Sequence, residues 1–182
     1  EGVKICTDGV VDELDMRRLY LQGLIPDDLG LLTAMTWLIL IENALMGSIP
    51  SSLGQLTALG GLALYNNTLN GTIPDDLGLL TELTYLGLQE NALNGTIPSS
   101  LGQLTVLQTL NLRINALDGT IPDDLGLLTA LTRLNLRTNE LTGTIPSSLG
   151  KLTALKDLVL NDNVFTGTIP SEMSNWSNMR LL

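Results

Sequence analysis

The sequence repeats with a period of 24 residues over most of its length. An Ile-Pro pair recurs seven times at this interval, with prolines at 26, 50, 74, 98, 122, 146 and 170. Around each pair runs the pattern LxxLxLxxNxLxGxIPxxLGxLTx, as in "LTYLGLQENALNGTIPSSLGQLTV" at 83–106. A unit of this size cannot bury a core alone, so successive units must stack as coils of a solenoid.

The repeats divide the chain without a linker, a charge run or a change of composition. Residues 1–10 precede the array, residues 11–178 hold seven full repeats, and residues 179–182 begin an eighth that is cut off. The full repeats start at Val11, Met35, Leu59, Leu83, Leu107, Leu131 and Leu155. We therefore predict a single domain.

Each position of the repeat has a structural interpretation. The LxxLxLxx segment predicts a short strand whose leucines point inward, and strands of successive coils should pair into a parallel sheet. These strands should begin near Glu13, Trp37, Gly61, Tyr85, Thr109, Arg133 and Asp157. The asparagine after each strand should be buried and bonded to the backbone of the turn. That column is Asn43, Asn67, Asn91, Asn115, Asn139 and Asn163.

The residues after each proline favour the first turn of a short helix or 3₁₀ segment. They alternate between Asp-Asp and Ser-Ser in the first six coils, starting with Asp27-Asp28 and Ser51-Ser52. Adjacent coils lie about 4.8 Å apart, so alternation separates like charges to about 10 Å, near the Debye length at 0.1 M salt. Recent duplication of a two-coil unit explains the same pattern. Calcium binding or acid–base catalysis is disfavoured, because the pairs stand apart on separate coils.

Composition excludes several classes of function. The net charge of −10 and pI near 4.2 argue against nucleic acid or an anionic membrane surface as a partner. The chain has no histidine and a single cysteine, Cys6, so we expect no enzyme activity, no metal site and no cofactor. No apolar run is long enough to cross a bilayer. The chain begins at Glu1 without a visible signal peptide, and we interpret it as a processed protein or a fragment, with any membrane tether outside it.

The full 24-residue pattern resembles the plant-type leucine-rich repeat, found in receptor-like kinase ectodomains and polygalacturonase-inhibiting proteins. The resemblance implies an α/β fold, a right-handed curved solenoid with a parallel inner sheet and short 3₁₀ or helical segments on its outer side. It also implies an extracellular or cell-surface location. The segment "GVKIC" at 2–6 resembles the end of the family's N-terminal cap, so residues 1–10 would be a cap remnant. Cys6 would then have lost a disulfide partner; a lone buried thiol is the alternative.

Four glycosylation sequons fit a secreted protein. They lie at Asn66, Asn70, Asn94 and Asn175. The repeat itself supplies the threonine of the second and third, which weakens the signal there.

The x positions of LxxLxLxx should face solvent on the concave side of the solenoid. In the second to fourth coils they place an apolar and aromatic set there, comprising Trp37, Ile39, Ile41, Ala63, Tyr65 and Tyr85. Gly60, Gly61 and Gly87 should leave hollows among these side chains. Exposed apolar patches usually mark contact surfaces, and aromatic anchors are typical of interface hot spots, so we interpret this patch as a ligand face. The alternatives are that an end cap or a glycan covers the patch, or that neutral sequence drift placed apolar residues there without a function.

A basic cluster should follow on the same face. It comprises Arg113, Arg133 and Arg137, with Lys156 on the next coil. Such a cluster suits a carboxylate or sulfate on a partner. Intramolecular pairing with Asp157 or Glu90 is the alternative.

These observations favour a non-enzymatic extracellular module that binds a protein, a peptide or possibly a glycan on its concave face. A rigid cell-wall or matrix spacer is a second hypothesis. Ice binding is a third, because threonines form a regular column at about 4.8 Å spacing. That column is Thr72, Thr96, Thr120, Thr144 and Thr168.

Overall fold

An inner sheet of eight strands runs along the solenoid in the computed structural model, which describes residues 2–5 and 11–176. The strands are Gly2–Ile5, Val11–Asp15, Trp37–Ile39, Gly61–Ala63, Tyr85–Gly87, Thr109–Asn111, Arg133–Asn135 and Asp157–Val159. All pair in parallel except Gly2–Ile5, which lies antiparallel against Val11–Asp15. The register joins each residue to the one 24 positions on, as in Trp37 to Gly61. The predicted right-handed solenoid is confirmed, and so are the positions of its strands from the second coil onward.

The first strand of the array differs from the prediction. It begins at Val11 rather than near Glu13, because its early residues also pair with Gly2–Ile5. Cys6 and the start of the eighth repeat at 179–182 lie outside the described residues.

The leucines of the repeat form one continuous core between the coils. Leu62, Leu86, Leu110 and Leu134, which follow one another along the inner sheet, are fully buried. Burying a side chain of this size contributes about 1.5–3 kcal/mol, and each coil receives that contribution only because its neighbours cover it. Stacking is therefore what stabilises the array.

A second parallel sheet, which the sequence interpretation did not include, forms where the chain leaves the asparagine turn. We call it the flank sheet; its five strands are Gln22–Gly23, Ala44–Gly47, Thr68–Gly71, Ala92–Thr96 and Ala116–Asp118. An isolated bridge between Thr144 and Thr166 continues its line into the later coils. The repeat segment NxLxGxI therefore pairs between coils rather than forming a plain turn.

Short 3₁₀ helices occupy the outer side, as predicted. They span Asp27–Leu31, Ser51–Gln55, Asp75–Leu79, Ser99–Gln103, Asp123–Leu127, Ser147–Lys151 and Ser171–Asn175. Each follows a proline, whose ring fixes φ for the start of the turn. In two places a serine also bonds the preceding coil: Ser52 Oγ donates to the Asp27 carbonyl at 2.8 Å and Ser100 Oγ to Asp75 Oδ1 at 3.1 Å.

The asparagine column bonds to backbone as predicted. Asn91 is typical: its Nδ2 donates to the carbonyls of Leu64 and Leu88, each at 3.1 Å, and its Oδ1 accepts from the amide of Leu69 at 3.0 Å. The prediction of burial is wrong for all of the column but Asn139, since the other five are half-buried. The side chains lie at the corner between the two sheets, where solvent reaches one edge of the amide.

The residue before each of these asparagines, and Arg18 before Leu19 in the first coil, adopts a left-handed backbone conformation. These positive-φ residues are Arg18, Glu42, Asn66, Glu90, Ile114, Thr138 and Asp162. Such a φ is uncommon outside glycine and is an outlier for a β-branched side chain. The turn therefore imposes this conformation on whatever residue stands there.

Candidate ligand-binding face

The aromatic residues of the inner sheet share one column of side chains. Trp37, Gly61 and Tyr85 lie in register on three adjacent strands, so the two aromatic residues stand two coils apart. Their rings nevertheless approach to 6.5 Å between centroids, with a tilt of 30°. They meet because the residue between them has no side chain. This separation is within the range in which aromatic pairs attract.

The hollows expected at the glycines are filled by these rings. A Cβ built on Gly61 would lie 2.1–2.6 Å from three atoms of the Trp37 six-membered ring, and one built on Gly87 would lie 2.6–2.9 Å from the Tyr85 ring and hydroxyl. Gly61 and Gly87 are accordingly buried. The prediction of open hollows there is wrong, because an aromatic side chain on a flat sheet bends over any neighbour that lacks a Cβ.

The prediction that Ile41 is exposed is wrong, while its contact with a ligand stays a prediction. Only 5% of Ile41 is exposed. It stands in the column between Arg17 and Tyr65, and the long side chains of these two neighbours border the same depression and flank it. Ala63, in the adjacent column, is buried to the same degree.

The predicted patch is otherwise brought together on the inner face. Trp37 is exposed by 38%, while Ile39, Tyr65 and Tyr85 are half-buried. With Arg17, Ile41 and Ala63 these residues line a depression of about 210 Å³. This volume is below the roughly 300–1,000 Å³ of sites that enclose a whole small molecule. The depression can therefore receive one side chain of a larger partner.

Burial perturbs the Tyr85 hydroxyl. Removal from water raises its pKa above the ordinary 10.0, and the nearby phenol of Tyr65 raises it further, while a hydrogen bond with Gln89 acts in the opposite direction. Gln89 is buried at 7% exposure, and its Oε1 has no partner. An amide turned by 180° would let the Tyr85 hydroxyl donate to that oxygen. Tyr85 is thus a neutral, partly desolvated side chain.

The charged residues beside the depression are paired within the chain. Arg17 Nε donates to both oxygens of Asp15, at 2.8 and 3.0 Å, and this bond lowers the pKa of the Asp15 carboxyl below its usual 3.8. Arg18 binds Glu42 in the next coil at 2.7 and 2.8 Å. The sequence interpretation did not include Arg17 in the site. Arg17 precedes Ile41 by one repeat of 24 residues, so it lies in the same column of side chains.

The three arginines of the basic cluster also have partners. Arg113 pairs with Glu90, Arg133 Nε with Asp157 Oδ2 at 2.9 Å, and Arg137 Nε with Asp162 Oδ2 at 3.0 Å. The alternative of intramolecular pairing with Glu90 and Asp157 therefore describes Arg113 and Arg133. Exposed pairs of this kind contribute about 0–1 kcal/mol, so an anionic partner can replace the carboxylate at small cost.

Two further depressions link the cluster to the aromatic residues. One, of about 470 Å³, has Tyr85 and Arg133 in its wall, and the other, of about 320 Å³, lies between Arg133 and Lys156. Tyr85 also lines the depression beside Trp37. The inner face thus offers a continuous uneven surface from the second coil to the seventh.

The four sequons are placed differently. Asn70 and Asn94 lie exposed on the flank sheet and Asn175 lies exposed on the last 3₁₀ helix, whereas Asn66 is half-buried and holds a positive φ of 55°. Glycosylation at all four stays a prediction. Within residues 11–176 no group of three or more His, Cys, Asp or Glu side chains could hold a metal ion. None of the helices in the described part of the chain is long and apolar enough to cross a membrane.

The threonine column lies on the outward side of the flank sheet and its continuation. All five threonines are exposed, and the Cγ2 methyls of four of them pack against the glycine of the next coil. For Thr96 that glycine is Gly119, where a Cβ would come within 2.9 Å of the methyl. The side chains are therefore held in an ordered row.

A family model, described as the leucine-rich repeat region, matches residues 62–182 of this chain. No curated protein matches the chain significantly. The crystal structure of PEPR1-AtPEP1 superposes with a TM-score of 0.97 at 34% identity, covering 100% of this chain and 26% of that one. The Arabidopsis receptor kinase HAESA, in complex with the peptide hormone IDA and the co-receptor SERK1, gives 0.89 at 35% identity over 98% of this chain and 30% of that one.

A plant ice-binding protein is also similar, with a TM-score of 0.77 at 27% identity over 95% of this chain and 72% of that one. The chain thus spans about a quarter to a third of the two receptor ectodomains and nearly three quarters of the ice-binding protein. The family model covers well over half of the sequence, and the architecture agrees with it coil by coil. This chain belongs to the leucine-rich repeat family, in its plant-type form.

Proposed function

We propose that this chain is a non-enzymatic extracellular recognition module that binds a protein or peptide on the inner face of its solenoid. The observation that carries the proposal is the apolar surface around Trp37 and Tyr85, which contrasts with the polar Thr109, Asn111, Arg133 and Asn135 on the next two strands. A partner that covers Trp37 removes a large aromatic side chain from water, and such residues dominate interface energetics.

Two further observations support the same face. The surface continues to Arg133 and Arg137, whose exposed carboxylate partners an anionic group of a ligand can replace. Receptor ectodomains with the same fold have been crystallised with peptide hormones, and in one case with a co-receptor. A peptide or protein is therefore the ligand class that we assign to the site.

The test is capture of a partner from the native extracellular extract, followed by calorimetric titration of variants against the captured molecule. Trp37→Ala and Tyr85→Ala should each weaken binding by about 2 kcal/mol or more, the scale of an interface hot spot. Arg137→Ala should act mainly on the association rate and its salt dependence, because its exposed site corresponds to an interface rim.

Asp75→Ser is the matched control. Asp75 lies on the outer side of the solenoid, and alternate coils already carry serine at this position. Its replacement should leave affinity unchanged. Binding that survives Trp37→Ala and Tyr85→Ala but is lost in Asp75→Ser contradicts the assignment of the face. Failure to capture any partner favours the spacer hypothesis, in which the rigid array alone is functional.

Ice binding is the second candidate, and the ordered threonine row of the flank sheet favours it. Because the flank sheet pairs residues 22 apart, as in Thr144 with Thr166, successive threonines of the row lie diagonally across neighbouring strands rather than directly opposite each other. The row is exposed and pinned by methyl–glycine contacts. The similarity to a plant ice-binding protein points the same way. Against it, the neighbouring outward row begins Gln22, Met46, Asn70 and Asn94 and lacks a threonine pattern there.

Thermal hysteresis of the purified chain decides this candidate. An ice-binding surface requires that Thr96→Lys and Thr120→Lys abolish the hysteresis, while Thr57→Lys, at an exposed position outside the row, preserves it. A wild-type chain without hysteresis removes the candidate.

A further inference from the structure

The ring of Trp37 lies flat over Gly61 on the inner sheet, and the ring of Tyr85 reaches over Gly87. A Cβ points straight out of a sheet, and the Cβ position of Gly61 falls within 2.6 Å of three atoms of the Trp37 six-membered ring. The ring must therefore lie across the glycine with one face toward the backbone. The hydroxyl and ring edge of Tyr85 reach over Gly87, where a Cβ would meet them at 2.6–2.9 Å. We call these two rings the aromatic shelf.

The shelf is preformed. Trp37 and Tyr85 contact each other at 6.5 Å between centroids, with their planes inclined by 30°, so the two rings form one joined aromatic surface. Each ring occupies the space that a side chain at Gly61 or Gly87 would fill, and this position does not require a bound ligand. A ligand that binds here consequently loses little affinity to the conformational entropy of ordering these two side chains, because they are already ordered in the free protein.

A flat shelf selects the shape of what binds it. Dispersion attraction grows with the number of atoms in contact, so a planar ring gains more on this surface than a branched aliphatic side chain, which touches it with few atoms. The depression beside the shelf, about 210 Å³ and lined mainly by apolar and aromatic residues, admits one such side chain. The glycine hollows that would receive an aliphatic side chain are filled by the protein's own rings.

The charges around the shelf argue for a peptide rather than a sugar. A sugar ring needs several hydrogen-bonding groups at its edge, but Arg17 and Arg18 already donate to Asp15 and Glu42. A neutral sugar hydroxyl would have to displace a charged carboxylate to reach either guanidinium. Apart from the hydroxyls of Tyr65 and Tyr85, the remaining border is apolar. An aromatic ring binds this surface more favourably than a sugar, because sugar hydroxyls would lose their hydrogen bonds to water and gain few in return.

We propose that the aromatic shelf is a stacking site for the aromatic side chain of a peptide ligand, and that Gly61 and Gly87 are its positioning residues. The proposal rests on the proposed function, since it names the ligand group that the inner face takes. A Phe, Tyr or Trp side chain would stack offset on Trp37 and Tyr85, the arrangement that aromatic groups prefer.

The experiment starts from a displayed library of random linear heptapeptides, selected on the wild-type chain. Selected peptides should share an aromatic residue, and its replacement by Leu should weaken binding about tenfold. Gly61→Ala should weaken the same peptides about tenfold, because its methyl displaces the Trp37 ring. Gly60→Ala is the matched control: its Cβ would meet nothing nearer than the Thr36 carbonyl at 3.6 Å, so affinity should stay within about twofold.

A second pair of variants tests planarity without placing a methyl under the ring. Trp37→Phe keeps a flat ring and should bind within about threefold of wild type, whereas Trp37→Leu keeps apolar area without planarity and should lose about tenfold. Thermal denaturation of each variant separates loss of binding from loss of folding.

Five results overturn the proposal. Selected peptides without an aromatic residue do so, as do selected peptides that bind Gly61→Ala and Trp37→Leu like wild type. Quenching of Trp37 fluorescence by cellohexaose, in a chain that selects no peptide at the shelf, assigns the site to a sugar instead. If peptides bind the inner face elsewhere, so that Arg133→Ala weakens them and Trp37→Leu does not, the shelf proposal fails and the proposed function stands. If nothing binds the inner face, both fail.

Discussion

The side-chain amide of Asn91 donates to the carbonyl oxygen of Leu64 in the preceding coil at 3.1 Å. Through this bond, and through its acceptance from the Leu69 amide, one side chain satisfies backbone groups that the turn would otherwise leave unpaired. The same arrangement recurs along the asparagine column, so one residue type adds side-chain bonds to the backbone bonds that join the coils at this corner.

Replacing Asn91 by Ala should lower the free energy of unfolding by about 1–3 kcal/mol, because partly buried backbone donors and acceptors lose their partners. Asn94→Ala is the control, since Asn94 is an exposed residue of the flank sheet. Urea denaturation of both variants measures the difference. Equal stability of the two variants would contradict the structural role of the column.

Ile114 should be a site where stability can be gained. It holds a φ of 54°, which is costly for a β-branched residue, and it is 40% exposed, so little burial is lost on replacement. Ile114→Asn should raise the free energy of unfolding by about 1 kcal/mol, because asparagine tolerates this conformation. Asn66 already occupies the equivalent position two coils earlier.

The measurement is the denaturation midpoint of Ile114→Asn beside that of Ile114→Val. Valine keeps the β-branch and the strain, so it should not stabilise the chain. A gain with valine as large as that with asparagine would mean that the loss of apolar exposure, and not backbone conformation, controls stability at this position.

Charge separation on the outer side predicts a salt-dependent cost for Ser100→Asp. Ser100 lies between the acidic pairs at Asp76 and Asp124, and its hydroxyl donates to Asp75. An aspartate there would face like charges about 4.8 Å away on both sides, costing about 1–2 kcal/mol at low salt.

Thermal melting in low salt and in 1 M salt checks this prediction, since screening should remove most of the loss. Ser100→Ala, which removes the hydroxyl without adding charge, should cost less and respond little to salt. If the cost of Ser100→Asp is small in both conditions, duplication of a two-coil unit remains the explanation of the alternation.

Tyr85 should make stability depend on pH in the alkaline range. Its pKa is raised above 10.0 in the folded chain, chiefly by burial, so the neutral form is favoured there more than in the unfolded chain. The resulting stabilisation is complete below pH 10 and is lost as pH rises from the unfolded pKa through the folded one. Wild type should therefore lose stability more steeply above pH 10 than Tyr85→Phe. Parallel curves for the two proteins would contradict the burial of the phenol.

Much of the fold could be predicted from the repeat because its period and its leucines determine the stacking. The inner strands, the outer 3₁₀ helices and the bonds of the asparagine column all follow from residues that recur in every coil. The flank sheet was missed because its segments are short and read as a turn; the alternation of exposed Ala44 and Met46 with buried Leu45 was the available signal.

The site was harder to predict because it depends on residues that do not recur. The alternation of side chains along each strand placed Trp37 and Tyr85 on one face correctly. It contains no information on the rotamer, and therefore none on which neighbour a ring lies over. The burial of Ile41 and the filling of Gly61 and Gly87 both arise from neighbouring coils. The left-handed residues were missed because the position carries six different residue types in the seven coils, among them Ile114 and Thr138.

Side-chain footprinting of the captured complex by hydroxyl radicals and mass spectrometry tests inner-face recognition most directly. Trp37 and Tyr85 should lose most of their oxidation when the partner binds, while Leu79 on the outer 3₁₀ side, 53% exposed, should be oxidised as in the free chain. Unchanged oxidation of Trp37 and Tyr85 together with protection of Leu79, or of Met46 on the flank sheet, would contradict recognition by the inner face.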